Sequence, residues 1–197
     1  MRFSITFDYL CPFAAIANEI VIDALRDGAD HEVGFRSFSL SQVHLDEGDP
    51  PVWERPDGAS GVLALQWGLA VRDSFPERFH DAHIALFDAR HKHGKNLNEP
   101  EVVRDAVAGA GLDPDLVAEA VATGAPLKAL MSDHTSGVEQ HRVFGVPTWI
   151  VGDRAVFTRL MTRAADGAEA RATVDRVLDM ITGWPDLNEF KYTRIPR

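Results

Sequence analysis

The sequence predicts an α/β fold in which a β-α-β unit opens the chain, an all-helical insertion interrupts it and a β-β-α unit closes it. Three observations lead there. Apolar residues alternate near both ends of the first 40 residues, they recur at helical spacing between those runs, and a hairpin signal returns late, after a long helical stretch.

The elements follow in order. In Arg2-Phe3-Ser4-Ile5-Thr6-Phe7-Asp8, Phe3, Ile5 and Phe7 fall on one side, the period of a strand. Pro12 follows Cys11 directly and suits the first position of a helix, where its missing N–H has no intrahelical partner to lose. Residues 12–26 then carry Phe13, Ile16, Ala17, Ile20, Val21 and Leu25 on a broad apolar face, and Gly28 ends the helix. Residues 31–40 alternate again through Val33 and Phe35, with Phe38 and Leu40 after a change of phase. A helix crossing between two such strands favours a right-handed parallel pair. From Asp46 a Pro/Gly/charge-rich loop, DEGDPPVWERPDGAS, leads into a helical region with starting signals at Ser60, Ser74, Asn98 and Asp113. With residues 126–143, this predicts five helices between 60 and 143. Thr148–Val151 and Ala155–Thr158 flank a Gly152-Asp153 turn, a hairpin signal. The last helix is expected at about 167–183, with Pro185 ending it.

Composition narrows the chemistry. At 197 residues and 45% hydrophobic content the chain can bury a large core as one domain or a domain with an insertion. No apolar stretch is long enough to span a bilayer, and MRFSITFDYL lacks the parts of a signal peptide, so a cytoplasmic protein is expected. The net charge of -10 disfavours nucleic acid and anionic membrane as partners. Cys11 is the only cysteine, which excludes an internal disulfide and any all-cysteine metal site. Any sulfur chemistry there needs a second sulfur from another molecule.

A sulfur at the first turn of a helix faces unpaired N–H groups and the positive end of the helix dipole, which favours thiolate over thiol. The expected acidity of Cys11 is therefore higher than that of a free cysteine. The competing reading is a small buried hydrophobe, the usual fate of a lone cysteine.

A β-α-β start with Cys11-Pro12 at the first strand-to-helix junction, a helical insertion, and Gly145-Val146-Pro147-Thr148 before a closing β-β-α unit resembles the DsbA-like branch of the thioredoxin superfamily. The resemblance covers essentially the whole chain. Within the branch the sequence looks most like the group of FrnE-like oxidoreductases, mycothiol-dependent reductases and relatives of 2-hydroxychromene-2-carboxylate isomerase, and the ending WPDLNEFKYTRIP is similar to the tail of the mycothiol-dependent members. The resemblance implies a thioredoxin-like domain made of residues 1–45 and 144–197, with 46–143 as the helical insertion.

It also implies a site. The family's Cys-x-x-Cys attacks with its first sulfur and resolves with its second; Cys11-Pro12-Phe13-Ala14 keeps the first and has Ala14 in place of the second. A monothiol enzyme follows, released by an external low-molecular-weight thiol such as mycothiol or glutathione. Pro147 corresponds to the family's cis proline facing the sulfur, so Val146 is expected to offer backbone groups to an extended substrate, as an added strand would. Catalytic roles thus go to Cys11, Pro12 and Pro147, and substrate contacts to Tyr9, Phe13, Ala14, Val146, Thr148 and Trp53. The loss of the second cysteine equally permits a thiol-dependent isomerase or transferase of the kappa-class type, or a thiol- or ligand-binding module without turnover. The expected partners are a small thiol and a small-molecule or protein disulfide, with a homodimer allowed.

Other residues carry weaker signals. His80, His83, His91 and His93 lack the companions of a metal set and are expected to be solvated helix histidines, so no metal is expected. Trp53, Trp67 and Phe75 form either a wall over Cys11 or ordinary core. Asp8 either opposes the thiolate or is simply solvated. Arg142 is either an anchor for a ligand carboxylate or an exposed helix-end residue.

Overall fold

The structure, a computed structural model, describes residues 1–55 and 60–192. The part of the 46–60 loop at 56–59 and the end of the tail at 193–197 lie outside the described residues.

A four-stranded sheet in the order β2-β1-β3-β4 forms the centre. β1 (Arg2–Phe7) pairs in parallel with β2 (Glu32–Ser37), and Ile5 stands opposite Phe35. On its other side β1 pairs antiparallel with β3 (Thr148–Val151), where Ile5 meets Trp149. The β3–β4 hairpin closes through Gly152 at φ 62°, and β4 (Arg154–Phe157) is an edge strand of the sheet, as β2 is on the other side. β2 ends at Ser37, which explains the change of phase in the sequence: Phe38 bonds back to Phe7 O as the chain turns into the short helix α2 (Leu40–Val43).

α1 (Pro12–Arg26) starts at Pro12, with Cys11 as its N-cap. It lies beside α8 (Gly167–Gly183), whose N-cap Asp166 accepts from Glu169 N–H. Between residues 60 and 143 come five α-helices among the described residues: α3 (Val62–Ser74), α4 (Phe79–His91), α5 (Pro100–Gly109), α6 (Pro114–Ala122) and α7 (Ala125–His141). α7 packs on β2, α3 on α7, and α4 on α1. Among the described residues no helix is long and apolar enough to cross a membrane.

Asp113 caps α6 as its type and position predict, accepting from Asp115 N–H at 2.9 Å. The other starting signals act differently. Gly61, at φ 79°, caps α3 in place of Ser60. Ser74 is the last residue of α3, and a short 3-10 turn, Pro76–Arg78, precedes α4. Asn98 does not cap α5; its side chain accepts from Gly61 N–H at 2.9 Å and ties the start of α3 to the start of α5. These polar residues mark chain turns correctly, but tertiary contacts choose which backbone group each one satisfies.

Candidate functional site

β1 runs parallel to β2 and antiparallel to β3, so the end of β1 and the beginning of β3 lie at the same edge of the sheet. That edge brings residues 11 and 146 together. The Cys11 thiol donates to Val146 O at 3.4 Å. The Val146–Pro147 peptide is cis. Thr148 braces this loop twice, donating its hydroxyl to Gly145 O at 2.8 Å and its N–H to the Thr6 hydroxyl at 2.8 Å.

Cys11 is only 8% exposed, and its thiol is pushed up from the ordinary cysteine value. Burial is the largest cause. The N–H groups of Ala14 and Phe13 act the other way, as the helix start should, while buried Asp8 raises the value further and Arg159 lowers it. The expectation of an acidic thiol is therefore corrected: the helix start favours the thiolate, but desolvation outweighs it.

Asp8 is fully buried and not solvated. Its carboxylate accepts from Leu10 N–H at 2.9 Å and Leu40 N–H at 2.7 Å, and its backbone O accepts from Cys11 N–H at 3.0 Å. Burial pushes its carboxyl up to about 6 against the pull of those two N–H groups.

The remaining expected site residues divide. Phe13 is half-buried next to the sulfur, with the Arg159 guanidinium 5.4 Å above its ring. Ala14 is fully buried in α1 and presents no surface. Tyr9 is also fully buried and presents no surface; its hydroxyl bonds to His83 Nδ1 at 2.8 Å. Trp53, on a 3-10 turn at Val52–Glu54, packs against the ring of His134 at 5.7 Å. Trp67 is buried in α3 with Arg104 over its ring, and half-buried Phe75 ends that helix. Arg142 is an exposed helix-end residue at φ 52°.

The histidines are not uniformly solvated. His83 has no exposure, and its Nε2–H faces Asn18 Oδ1 at 3.2 Å while Asn18 Nδ2 donates to Ala14 O at 2.9 Å. Burial holds His83 well below the usual histidine range, so it is a neutral link in the core. His91 Nε2 donates to Tyr9 O at 2.9 Å. Among the described residues no three His, Cys, Asp or Glu side chains are placed to hold a metal.

Sequence reasoning missed two residues, Arg159 and His134. Arg159 lies two residues beyond β4, and the hairpin signal implied that its end lies near the start of β3; the signal was there but local. Nothing in the pattern around His134 separates it from any other helix residue.

The profile of the DSBA-like thioredoxin domain matches residues 4–170. An uncharacterized protein of Mycobacterium tuberculosis is 24% identical over 96% of this chain and 81% of its own length. The thiol:disulfide interchange protein DsbA of Pseudomonas aeruginosa is 35% identical over 78 residues, which make up 40% of this chain and only 36% of that protein. Of solved structures, a probable DsbA oxidoreductase from Streptomyces coelicolor has the same fold with a TM-score of 0.61 at 18% identity, covering 98% of this chain and 93% of the other. The oxidoreductase NmDsbA1 from Neisseria meningitidis gives 0.60 at 18% identity over 94% and 86%. With the matched region spanning the sheet, the Cys11 junction and the helical insertion, the chain belongs to the DSBA-like thioredoxin domain family.

Proposed function

We propose that the protein is a monothiol thiol-disulfide oxidoreductase that works through Cys11 with a low-molecular-weight thiol, mycothiol or glutathione, on a small-molecule or protein disulfide in the cytoplasm. The observation that carries the reading is the meeting of the Cys11 sulfur with the Val146 carbonyl across 135 residues of sequence, with Ala14 where a resolving sulfur would stand. Cys11 gives its proton to solvent, and its thiolate attacks one sulfur of the disulfide; a Cys11 mixed disulfide forms and the other half leaves as a thiolate. The thiolate of the external thiol then attacks the mixed disulfide, restoring Cys11 and releasing a new disulfide. Electrons balance because each step exchanges one S–S bond for another. When Cys11 loses its proton, the Val146 carbonyl loses its donor and is free to accept from a substrate amide. Phe13 and Arg159 line the approach.

One observation favours the thiol-dependent isomerase or transferase as a second reading. Cys11 is held as a protonated donor, a state suited to bonding a bound thiolate rather than attacking.

Cys11→Ser separates the two. For an oxidoreductase, intact mass after incubation with glutathione or mycothiol disulfide shows one thiol added to the wild type and none to the variant, and exchange activity disappears. The raised thiol also fixes the pH dependence: the rate keeps climbing as the pH rises through the ordinary cysteine value near 8.5. Thiol-dependent turnover of a non-disulfide substrate that survives in Cys11→Ser rules out the first reading and supports the second.

A further inference from the structure

His134 lies on α7 and is only 6% exposed. Its Nδ1 accepts from Ser39 N–H at 3.2 Å. A ring nitrogen that accepts carries no proton, so in the neutral ring the hydrogen is on Nε2. Burial keeps the ring neutral, pushing it down to about 4. Among the described residues Nε2 has no hydrogen-bond partner, and it is not among the sealed side-chain nitrogens and oxygens without one, of which His141 Nδ1 is the single case. His134 Nε2–H is a donor of fixed tautomer and direction, with Phe38 stacked on the ring at 4.3 Å and Trp53 tilted against it at 5.7 Å.

This group is built into the same support as the thiol. Asp8 holds Cys11 N–H with its backbone and Leu40 N–H with its carboxylate. The neighbouring Ser39 holds His134 through its N–H and caps α2 with its hydroxyl, on Gln42 N–H. Gln42 Oε1 in turn accepts from Val52 N–H at 2.9 Å, which pins the turn that carries Trp53. An unbroken run of hydrogen bonds and adjacent residues therefore links the Cys11 loop, His134 and Trp53.

We infer that His134 Nε2–H and the Trp53 indole form a recognition subsite for an uncharged carbonyl, an amide or ketone oxygen, carried on an apolar or aromatic group of the molecule that exchanges sulfur with Cys11. The chemistry selects that class. A neutral N–H supplies one hydrogen bond and no charge, and a half-buried aromatic surround makes a carboxylate costly to desolvate. The aromatic walls supply apolar contact on the same molecule. The placement in catalysis rests on the thiol-exchange reading above; the binding itself does not.

The test uses the full chain and N-benzylacetamide, a probe with the amide and the ring but no sulfur. In a nitrogen-proton NMR spectrum tuned to imidazoles, its titration shifts the His134 Nε2–H resonance of the wild type in a saturable way. His134→Asn keeps an acceptor for Ser39 N–H and removes the outward donor, so it binds about five- to tenfold more weakly, the weight of one hydrogen bond. His134→Gln, whose amide reaches the Nε2 position, restores part of that loss. If His134→Asn does not keep its fold by circular dichroism, Trp53→Ala carries the same expectation through the lost wall. No shift at His134 up to the solubility limit, or equal affinity in wild type and a folded variant, overturns the inference. The wild type is also assayed with 2-hydroxyethyl disulfide, which carries no carbonyl. A wild type that is inert to this disulfide yet shifts at His134 overturns the thiol-exchange reading and upholds the subsite.

Discussion

Two regions meet at the end of β1, and residues two apart in sequence enter different ones. On the inner side, the Tyr9 hydroxyl donates to His83 Nδ1, His83 Nε2–H donates to Asn18, and Asn18 donates to Ala14 O. Phe7, Phe79 and Phe87 ring this run, with centroids 4.5–5.0 Å from His83. Each polar group there is closed by another in the protein. On the outer side, Cys11 has one long bond to a carbonyl, and Arg159 has a ring beneath it and solvent above. The first arrangement is finished within the chain, while the second presents groups that a ligand can engage. Nearness to the cysteine in sequence therefore does not decide membership of the site; the side of the junction does.

The sharpest way to break the inner region is to overfill it. Gly68 in α3 lies where an added Cβ would come 2.1 Å from the Tyr9 hydroxyl and 2.9 Å from its ring. Gly68→Ala should cost about 3 kcal/mol by denaturant midpoint, because overpacking a tied side chain outweighs the roughly 1 kcal/mol that alanine adds to a helix. Adding Tyr9→Phe removes the closest contact, so the double variant should recover part of the loss rather than sum the two.

The boundary between the regions is Asp8, and its charge is the next lever. The folded carboxyl titrates at about 6, above its ordinary 3.8. A raised folded value means that its linked contribution to stability is full below 3.8 and is lost as the pH rises through 6. His134 works oppositely: with its folded value near 4 against an ordinary 6.5, its contribution is present above 6.5 and lost as the pH falls toward 4. Asp8→Asn should therefore remove a decline on the order of 2 kcal/mol between pH 4 and 6, read as a difference in stability-versus-pH curves. The same variant should lower the midpoint of Cys11 alkylation, since Asp8 is one of the groups that raises the thiol.

The smallest expected effect lies on the outer side. Arg159 favours the Cys11 thiolate, so Arg159→Ala should raise the alkylation midpoint and slow the reaction at neutral pH by about two- to threefold, as one exposed and screened charge allows. That difference should shrink in high salt.

Much of the scaffold was legible because its signals are local. Pro12 fixes the start of α1, the Gly152 turn fixes the hairpin, and the apolar spacing of Ala170, Val174, Leu178 and Ile181 gives α8 over its full span. The orientation of Tyr9 was legible too, had the strand pattern been carried on: Phe3, Ile5, Phe7 and Tyr9 keep one alternation, and all four are buried. The acidity of Cys11 was not legible. Its sign depends on a competition between the helix start and burial, and burial is set by Val146 and the loop that carries it. His134 was hidden for a related reason, because Ser39 N–H, 95 residues away, gives its ring a direction.

The sheet order has a further consequence in time. β1, α1 and β2 can form from the first 40 residues by contacts between near neighbours, whereas the third strand arrives only after six α-helices among the described residues, α2 to α7, have been laid down between. Closing so long a loop costs entropy that local pairing does not, and this slows the step in which β3 joins β1. Until that step, Cys11 has its helix but no carbonyl opposite it and no loop above it. A chain emerging from the ribosome thus carries, through most of its synthesis, a thiol that has the helix start but lacks the burial that raises it, and that burial is complete only when its last quarter has docked.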